Sequence, residues 1–581
     1  MKFQISLHHL LPSGFFKQFA LGLFISLPFI SFAQNSNPSR QERALMHREV
    51  PDQPYVAGSS SKKTSPAYTR ESSVFFMTQV NVDANGQNIL NDAANEPSIA
   101  VDPTNPNRMV IGWRQFDNIN NNFRQAGYGY TLDGGTTWTF PGVIDPGIFR
   151  SDPVLGVDIH GNFYYNSLTS DANDNMSCRV YRIEDGGVVW DGGIYAQGGD
   201  KQWMCIDNTN GMGSGNNYSF WTSYWSICYP GAYTRSTDWG DTYESCSEVL
   251  GDPSWGTLAV GPDGELYIAG AGYENDPVII TKSTTVQNPD LPVSWDFTTG
   301  VDLDGYITSQ VDVNPVGLLG QVWVDVDISE GPGRGNVYVL AAAQRISISD
   351  PGDIMFAKST DGGMSWGAPK RLNNDLGANS TQWFGTMSLS PDGRIDVIWL
   401  DTRNSTEANP NLSALYYTYS MDQGETWSTN EMLSETFDPH VGWPQQQKMG
   451  DYFDMVSDNQ GAHLAWAGTF NGEQDVYYGH IIPQIVGVSE TQANQFQLNA
   501  SVYPNPSKGS SVIRYDLSAN THVKVSVYDI YGQEVIRLVD EDQISGFHKI
   551  DLEAGDLAEG VYFCRINAGN HSEMLRIELI K

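Results

Sequence analysis

The sequence predicts an all-β chain: a β-propeller of seven repeats, followed by a small β-sandwich. Three observations predict it. The 58 Gly, 29 Pro and 12% aromatic residues suit many short strands joined by tight turns, and no long stretch carries the apolar 3.6-residue period of a helix. A pair of alternating strands recurs seven times, and a tight-turn signature recurs four times. At 581 residues the chain exceeds one ordinary domain, so a large repeat domain with a satellite is expected.

The first strands of the pairs are PSIAVDP, PVLGVDI, WMCIDNT, WGTLAVGP, VWVDVDI, TMSLSPD and DMVSDNQ. Each leads through a short turn to a partner rich in aromatic and β-branched residues: RMVIGW, NFYYNS, NYSFWTS, ELYIAG, NVYVLA, RIDVIW and AHLAWA. The spacing is within the range of blade repeats. The seventh unit lacks a fourth strand. The alternating segment from Ser73 to Val82 is expected to supply it and close the ring.

The turn signature reads YTLDGGTTW around Asp133, RSTDWGDTY around Asp238, KSTDGGMSW around Asp361 and YSMDQGETW around Asp422. Its Asp suits acceptance of backbone N–H bonds across the hairpin, its Gly a positive φ, and its aromatic ring burial on a neighbouring strand. These four copies resemble the Asp boxes of the sialidase superfamily, where the box is structural and lies on the outer rim of a blade. True sialidases have six blades, so six is the alternative count.

The ends of the chain are read separately. Lys2 and Lys17 precede the apolar run from Phe19 to Phe32, and small residues at Ser31 and Ala33 place cleavage before Gln34, so residues 1–33 read as a signal peptide. No membrane span is expected. Residues 34–71 are polar and aperiodic and read as a flexible leader, 72–483 as the propeller, 484–501 as a linker and 502–581 as the sandwich. The YPNP motif at Tyr503, the strand VYDIYGQEV, the GVYF turn at Gly560 and termination on Lys581 resemble the C-terminal sorting domain of the Bacteroidetes type IX secretion system. That resemblance implies a secreted or surface location and the export machinery as a partner.

Charge narrows the function. With 33 basic and 68 acidic residues the net charge is −35, which excludes nonspecific attraction to nucleic acid. No cofactor is required, calcium being the one ion the acidity would suit, and a monomer is expected. Cys178, Cys205, Cys228 and Cys246 fall in two adjacent repeats while Cys564 stands alone, predicting one or two disulfides.

The candidate site is the ring of residues that open the first strands, because a propeller gathers these at one end of its axis. It contains Glu96, Arg150, Asp152, Lys201, Gln202, Trp203, Trp255, Gln321, Trp323, Trp383, Asp451 and Tyr452. Such aromatic and forked polar groups suit sugar recognition. Arg114, Arg345 and Arg403, at the ends of second strands, could converge on an anion or pair with local carboxylates. The sialidase resemblance puts a nucleophilic Tyr at Tyr452, with Asp152 and Glu96 as acid and base candidates, but the Arg motif of the first blade is missing. His440 with Tyr452 would suit a uronate lyase. The expectation is a secreted glycoside hydrolase or polysaccharide lyase acting on extracellular glycans at the central pocket. The alternative is a non-catalytic propeller binding glycan or protein.

Overall fold

The computed structural model describes residues 52–57, 62–171, 175–184, 188–272, 278–484, 500–517, 520–544, 546–555, 557–568 and 571–580. The signal peptide and most of the leader and linker lie outside the described residues. Two compact units result, divided after Pro483.

The first unit is all-β. Among the described residues, seven antiparallel sheets follow one another along the chain and resemble propeller blades. Their innermost strands are Ala93–Val101, Ser151–Val157, Trp203–Ile206, Leu258–Val260, Trp323–Val326, Gln382–Leu389 and Asp454–Ser457. Each of these touches the next, and the last touches the first, so they close a ring around one axis. The second strands coincide with the aromatic-rich segments, from Met109–Phe116 to Ala462–Gly468. They bury Trp113, Trp399 and Trp466 between the sheets.

The ring closes with the N-terminal strand. Phe75–Gln79 pairs antiparallel with Asp475–Ile481, in the register Phe75 to Ile481, which gives the seventh sheet its fourth strand. Thr69–Glu71 then adds a fifth, and Thr64–Pro66 pairs with Gln87–Ile89. Residues 64–71 were expected in a flexible leader, so that boundary moves towards the N-terminus. Their polarity reflects an edge position, where one side of each strand faces solvent. The third sheet is the slimmest, its outer strand reduced to a bridge between Tyr233 and Ser247.

The four boxes share one hydrogen-bond plan, each turn following the third strand of its sheet. In the first, Asp133 accepts from Thr131 Oγ1 at 2.7 Å, Thr137 N at 2.9 Å and Thr137 Oγ1 at 2.6 Å. Asp238, Asp361 and Asp422 repeat this with their own Ser and Thr partners. The hydroxyl and N–H of Ser365 hold the Asp361 carboxyl down, to about 2. The sequence indicated the Asp. The Ser or Thr two residues earlier does equal work, since Thr131 Oγ1 also accepts from Gly135 N at 3.1 Å.

The second unit packs Ser501–Tyr503, Ser510–Leu517 and Gly546–Glu553 in one sheet. Glu534–Gln543, Thr521–Tyr528, Gly560–Ala568 and His571–Leu579 form another. Alternating Val523, Val525 and Val527, with Cys564, Ile566 and Ile577, bury between them. One disulfide, Cys228–Cys246, is present, and Cys178, Cys205 and Cys564 are free thiols.

Candidate functional site

In every sheet of the ring the chain swings into its innermost strand through one residue with positive φ. These are Glu96 (54°), Asp152 (45°), Lys201 (56°), Trp255 (56°), Gly320 (155°), Phe384 (55°) and Gly450 (103°). Five are not glycine, and a left-handed backbone costs such residues roughly 1–2 kcal/mol each. The irregularity breaks the strand register at Asn95/Ser98 and at Trp383/Thr386, as a bulge does.

The charged members of this set meet at the axis. Lys201 Nζ lies 3.1 Å from Asp152, 3.3 Å from Asp200 and 2.9 Å from Asp451. Lys448 Nζ is 2.8 Å from Asp451, and Arg114 Nε is 2.7 Å from Glu96. The predicted convergence of Glu96, Asp152, Lys201, Asp451 and Tyr452 is therefore present in space. Solvent, however, does not reach it: Glu96, Lys201, Asp451 and Tyr452 are 0% exposed and Asp152 1%.

Two elements close the site from above. The hairpin of Ser309–Val311 and Asn314–Leu318 lies over it, with Leu318 N donating to Asp451 Oδ1 at 2.8 Å and Asn314 Nδ2 to Gly450 O at 2.9 Å. The loop before Gly450 joins it, Val316 N donating to Gln447 O at 3.2 Å. From below the axis is plugged by rings. Trp203 packs edge-on against Trp323 at 5.1 Å and against Tyr452 at 5.0 Å. The Tyr452 hydroxyl donates to Pro153 O at 2.7 Å, and burial pushes its pKa well above the ordinary value of 10.

Charge balance follows from Glu96. Burial raises its pKa to about 8; Arg114 opposes the rise while Asp152 and Asp451 add to it. With Glu96 protonated, three cations (Arg114, Lys201, Lys448) face three carboxylates (Asp152, Asp200, Asp451). A raised folded-state pKa means the stabilising proton is fully held below the ordinary 4.5 and lost as pH rises through about 8. Glu96→Gln, which keeps the uncharged form, is expected to flatten the fall in urea midpoint between those pH values and to exceed the parent above pH 8. A steeper fall in the variant would contradict this assignment.

The other candidates are placed elsewhere. Arg345 binds Asp304 and Asp353, Arg403 binds Asp401, and Arg114 lies against the Glu96 carboxyl and Asn95 Oδ1, so the three guanidiniums build no shared anion site. Arg150 pairs with Asp145 at 2.8 Å. Gln202 donates its amide to Asp152 O, while the buried Gln321 amide has no hydrogen-bond partner among the described residues. Trp383 Nε1 donates to Ser413 Oγ at 3.2 Å, and Trp255 is buried in a neighbouring core cluster. His440 meets Asp312 O at 2.9 Å and packs at a tilt against Trp443, in the loop rather than at the axis. Among the described residues no group of three or more His, Cys, Asp or Glu is placed to hold a metal ion.

The open cavity is at the opposite end of the axis, where the innermost strands finish. It has a volume of about 670 Å³. Trp203 and Trp323 line it, with Leu258, Val324, Met387 and Met455 on its walls and Asn208, Thr209, Asn210, Glu330 and Arg334 among its polar residues. Asp325 also lines it, but its carboxylate accepts from Val326 N and Leu389 N, which ties adjacent sheets together. Burial raises its pKa to about 7.

Two loops that border this cavity are near-copies: DNTNGMGSGN over 207–216 and DISEGPGRGN over 327–336. Both use the same bonds. Asp207 accepts from Thr209 N and Asp327 from Ser329 N, each at 2.9 Å; Thr209 Oγ1 then accepts from Gly211 N and Ser329 Oγ from Gly331 N. Gly213 and Gly333 are required because a Cβ there would lie 2.3 and 2.2 Å from the Asp carboxylates. The sequence reading missed these residues, although the repeated Asp-x-Thr/Ser-x-Gly-x-Gly-x-Gly-Asn pattern was visible in it.

Comparison with known proteins gives one sequence match and several distant structural ones. No curated protein matches the chain. A Dyadobacter fermentans protein of unknown function aligns at 12% identity and TM-score 0.39, covering 70% of this chain and 98% of that one. A polysaccharide lyase PL25, an ulvan lyase bound to -[GlcA(1-4)Rha3S]-, aligns at 12% and 0.38 over 68% and 94%. Trypanosoma rangeli sialidase with the inhibitor DANA aligns at 10% and 0.35 over 86% of each chain. At these scores the alignments assign no residue of this chain a role. Residues 501–579 match the secretion system C-terminal sorting domain. No helix among the described residues is long and apolar enough to cross a membrane. The chain thus carries a type IX secretion C-terminal sorting domain, and the protein is exported, to the medium or to the outer cell surface.

Proposed function

We propose that this exported protein is a seven-bladed propeller that binds an extracellular glycan in its axial cavity and does not cleave it. The observation that carries this reading is the cavity of about 670 Å³, floored by Trp203 and Trp323, each leaving 6% of its surface exposed, and bordered by amide, hydroxyl and charged groups from two Gly-rich loops. An apolar floor and a few polar groups at the mouth are what a sugar-sized site requires. Hydrolysis or elimination needs an acid and a base within hydrogen-bond reach of the substrate. Of the candidates for that work, Asp152 and Glu96 are buried, and Tyr452, one of the rings of the floor, is 0% exposed with its hydroxyl given to Pro153 O.

The test is titration of the full mature chain with neutral, uronate and sialylated glycans, monitored for both binding and product. Asn208→Ala with Asn210→Ala is expected to weaken binding about tenfold, from two lost hydrogen bonds of about 0.5–1.5 kcal/mol each. Tyr452→Phe is expected to leave it unchanged. Product release abolished by Tyr452→Phe would replace this reading with the enzymatic one.

A further inference from the structure

We infer that the axial cavity receives the uncharged end of a glycan chain rather than an internal stretch of it; this deepens the proposed glycan-binding role and rests on it. Three features of the cavity lead there.

The cavity is a blind well. Trp203, from the third sheet, meets Trp323 of the fifth and Tyr452 beside the seventh, so rings from three parts of the circle cross the axis at its floor. Behind them stand Lys201, Asp152, Asp451 and Lys448, fully or almost fully buried, and beyond these the hairpin bonded to Asp451 through Leu318 N. A polymer entering at the mouth has no way through. Whatever reaches the indole rings must therefore terminate there.

The one cation of the lining is paired with a carboxylate, so the cavity carries no excess positive charge for an acidic sugar. Among the described lining residues Arg334 is the one Lys or Arg. Its Nη1 donates to Ile328 O at 2.9 Å, Ser329 O at 3.2 Å and Glu330 Oε1 at 3.3 Å, so its charge is offset by Glu330. A uronate, sulfate or sialate would enter beside Glu330, which offsets the charge of Arg334, and against a net charge of −35, with no excess cation to repay its dehydration. Hydroxyl groups meet no such barrier and suit the Asn210 amide and the Asn208 amide oxygen, the Asn208 Nδ2 being given to Val157 O and the Thr209 hydroxyl to Asp207.

The two loop copies are built to hold their shape. Each Asp accepts the N–H two residues on, each Thr or Ser hydroxyl accepts the next N–H but one, and the Gly without room for a Cβ packs directly on the Asp. The scaffold is repeated, but the side chains it presents differ: Asn208 and Asn210 on one copy, Ile328 and Glu330 on the other. Such a mouth presents unlike groups to the two sides of an entering chain, as recognition of a unique terminal residue requires.

The experiment measures half-saturation of the full mature chain with laminarin, xylan, galactan and dextran, each at two chain lengths differing about tenfold and compared at equal mass. Shorter chains carry more ends per gram, so end recognition lowers the half-saturating mass concentration about tenfold for the short form. Equal half-saturation by mass for both lengths would show internal binding and overturn this inference while leaving the glycan-binding reading in place. Binding of polygalacturonate or sialylated glycan in preference to all four neutral polymers would overturn the uncharged end. Absence of binding to every glycan, charged or neutral, would remove the reading beneath it.

Discussion

Replacing Lys201 by Met lowers the stability of the first unit by about 3–5 kcal/mol, the cost of removing one partner from a buried ion pair. The reason is local electrostatics. Lys201 Nζ is shared by Asp152, Asp200 and Asp451, at 2.9 to 3.3 Å, and its own side chain is 0% exposed. Burial alone would lower the lysine pKa, but the three carboxylates outweigh it and hold it well above 10.5. Without the ammonium Asp152 and Asp451 remain out of reach of water and Asp200 nearly so, with two cations among the three, and the unit relieves the excess by unfolding or by taking up protons. The urea midpoint measures the loss, and the deficit should narrow as pH falls. At the surface, Lys370→Met removes the pair with half-exposed Glu425 and should cost less than about 1 kcal/mol. Equal losses in the two variants would mean that the axial cluster is solvated.

Gly135→Ala is the second large effect. Gly135 has φ +87°, and a Cβ there would sit 2.2 Å from Cε1 of Tyr478, on the neighbouring seventh sheet. Roughly 1–2 kcal/mol for the left-handed backbone adds to roughly 1–3 kcal/mol for overpacking. Gly335 has a similar φ of +82° with nothing within 4 Å of a Cβ, so Gly335→Ala isolates the backbone part. Comparable midpoints for the two variants would show that the box turn does not press on its neighbour. The same close approach recurs at Gly424 against Phe356 and at Gly240 against Tyr164. The box glycine thus serves both its own turn and the seam between adjacent sheets.

The sheets were legible because their signals are local. Alternation in segments such as NVYVLA and the box hydroxyl, carboxyl and glycine act within ten residues, and the missing fourth strand of the last unit pointed to Ser73–Val82, within which Phe75–Gln79 pairs. The axial convergence was legible too, since equal positions in equal repeats must come to one place. Which end of the axis stays open was not. It depends on Ser309–Val311 and Asn314–Leu318, an insertion outside the repeat, and on three aromatic rings from distant segments meeting edge to face. Trp at a strand start has the same sequence whether it faces a ligand or plugs a channel. Arg345 and Arg403 were ambiguous for a similar reason: a guanidinium takes whichever carboxylate folding brings nearest, here Asp304, Asp353 and Asp401.

A ligand of the cavity enters where the innermost strands end. Amide hydrogen exchange of the mature chain with and without saturating neutral glycan measures this directly. Protection is expected in the loops 207–211 and 328–334, with no change in 93–98 or 448–452. Protection confined to 93–98, 309–318 and 448–452 would place the ligand at the buried ion cluster and contradict the account.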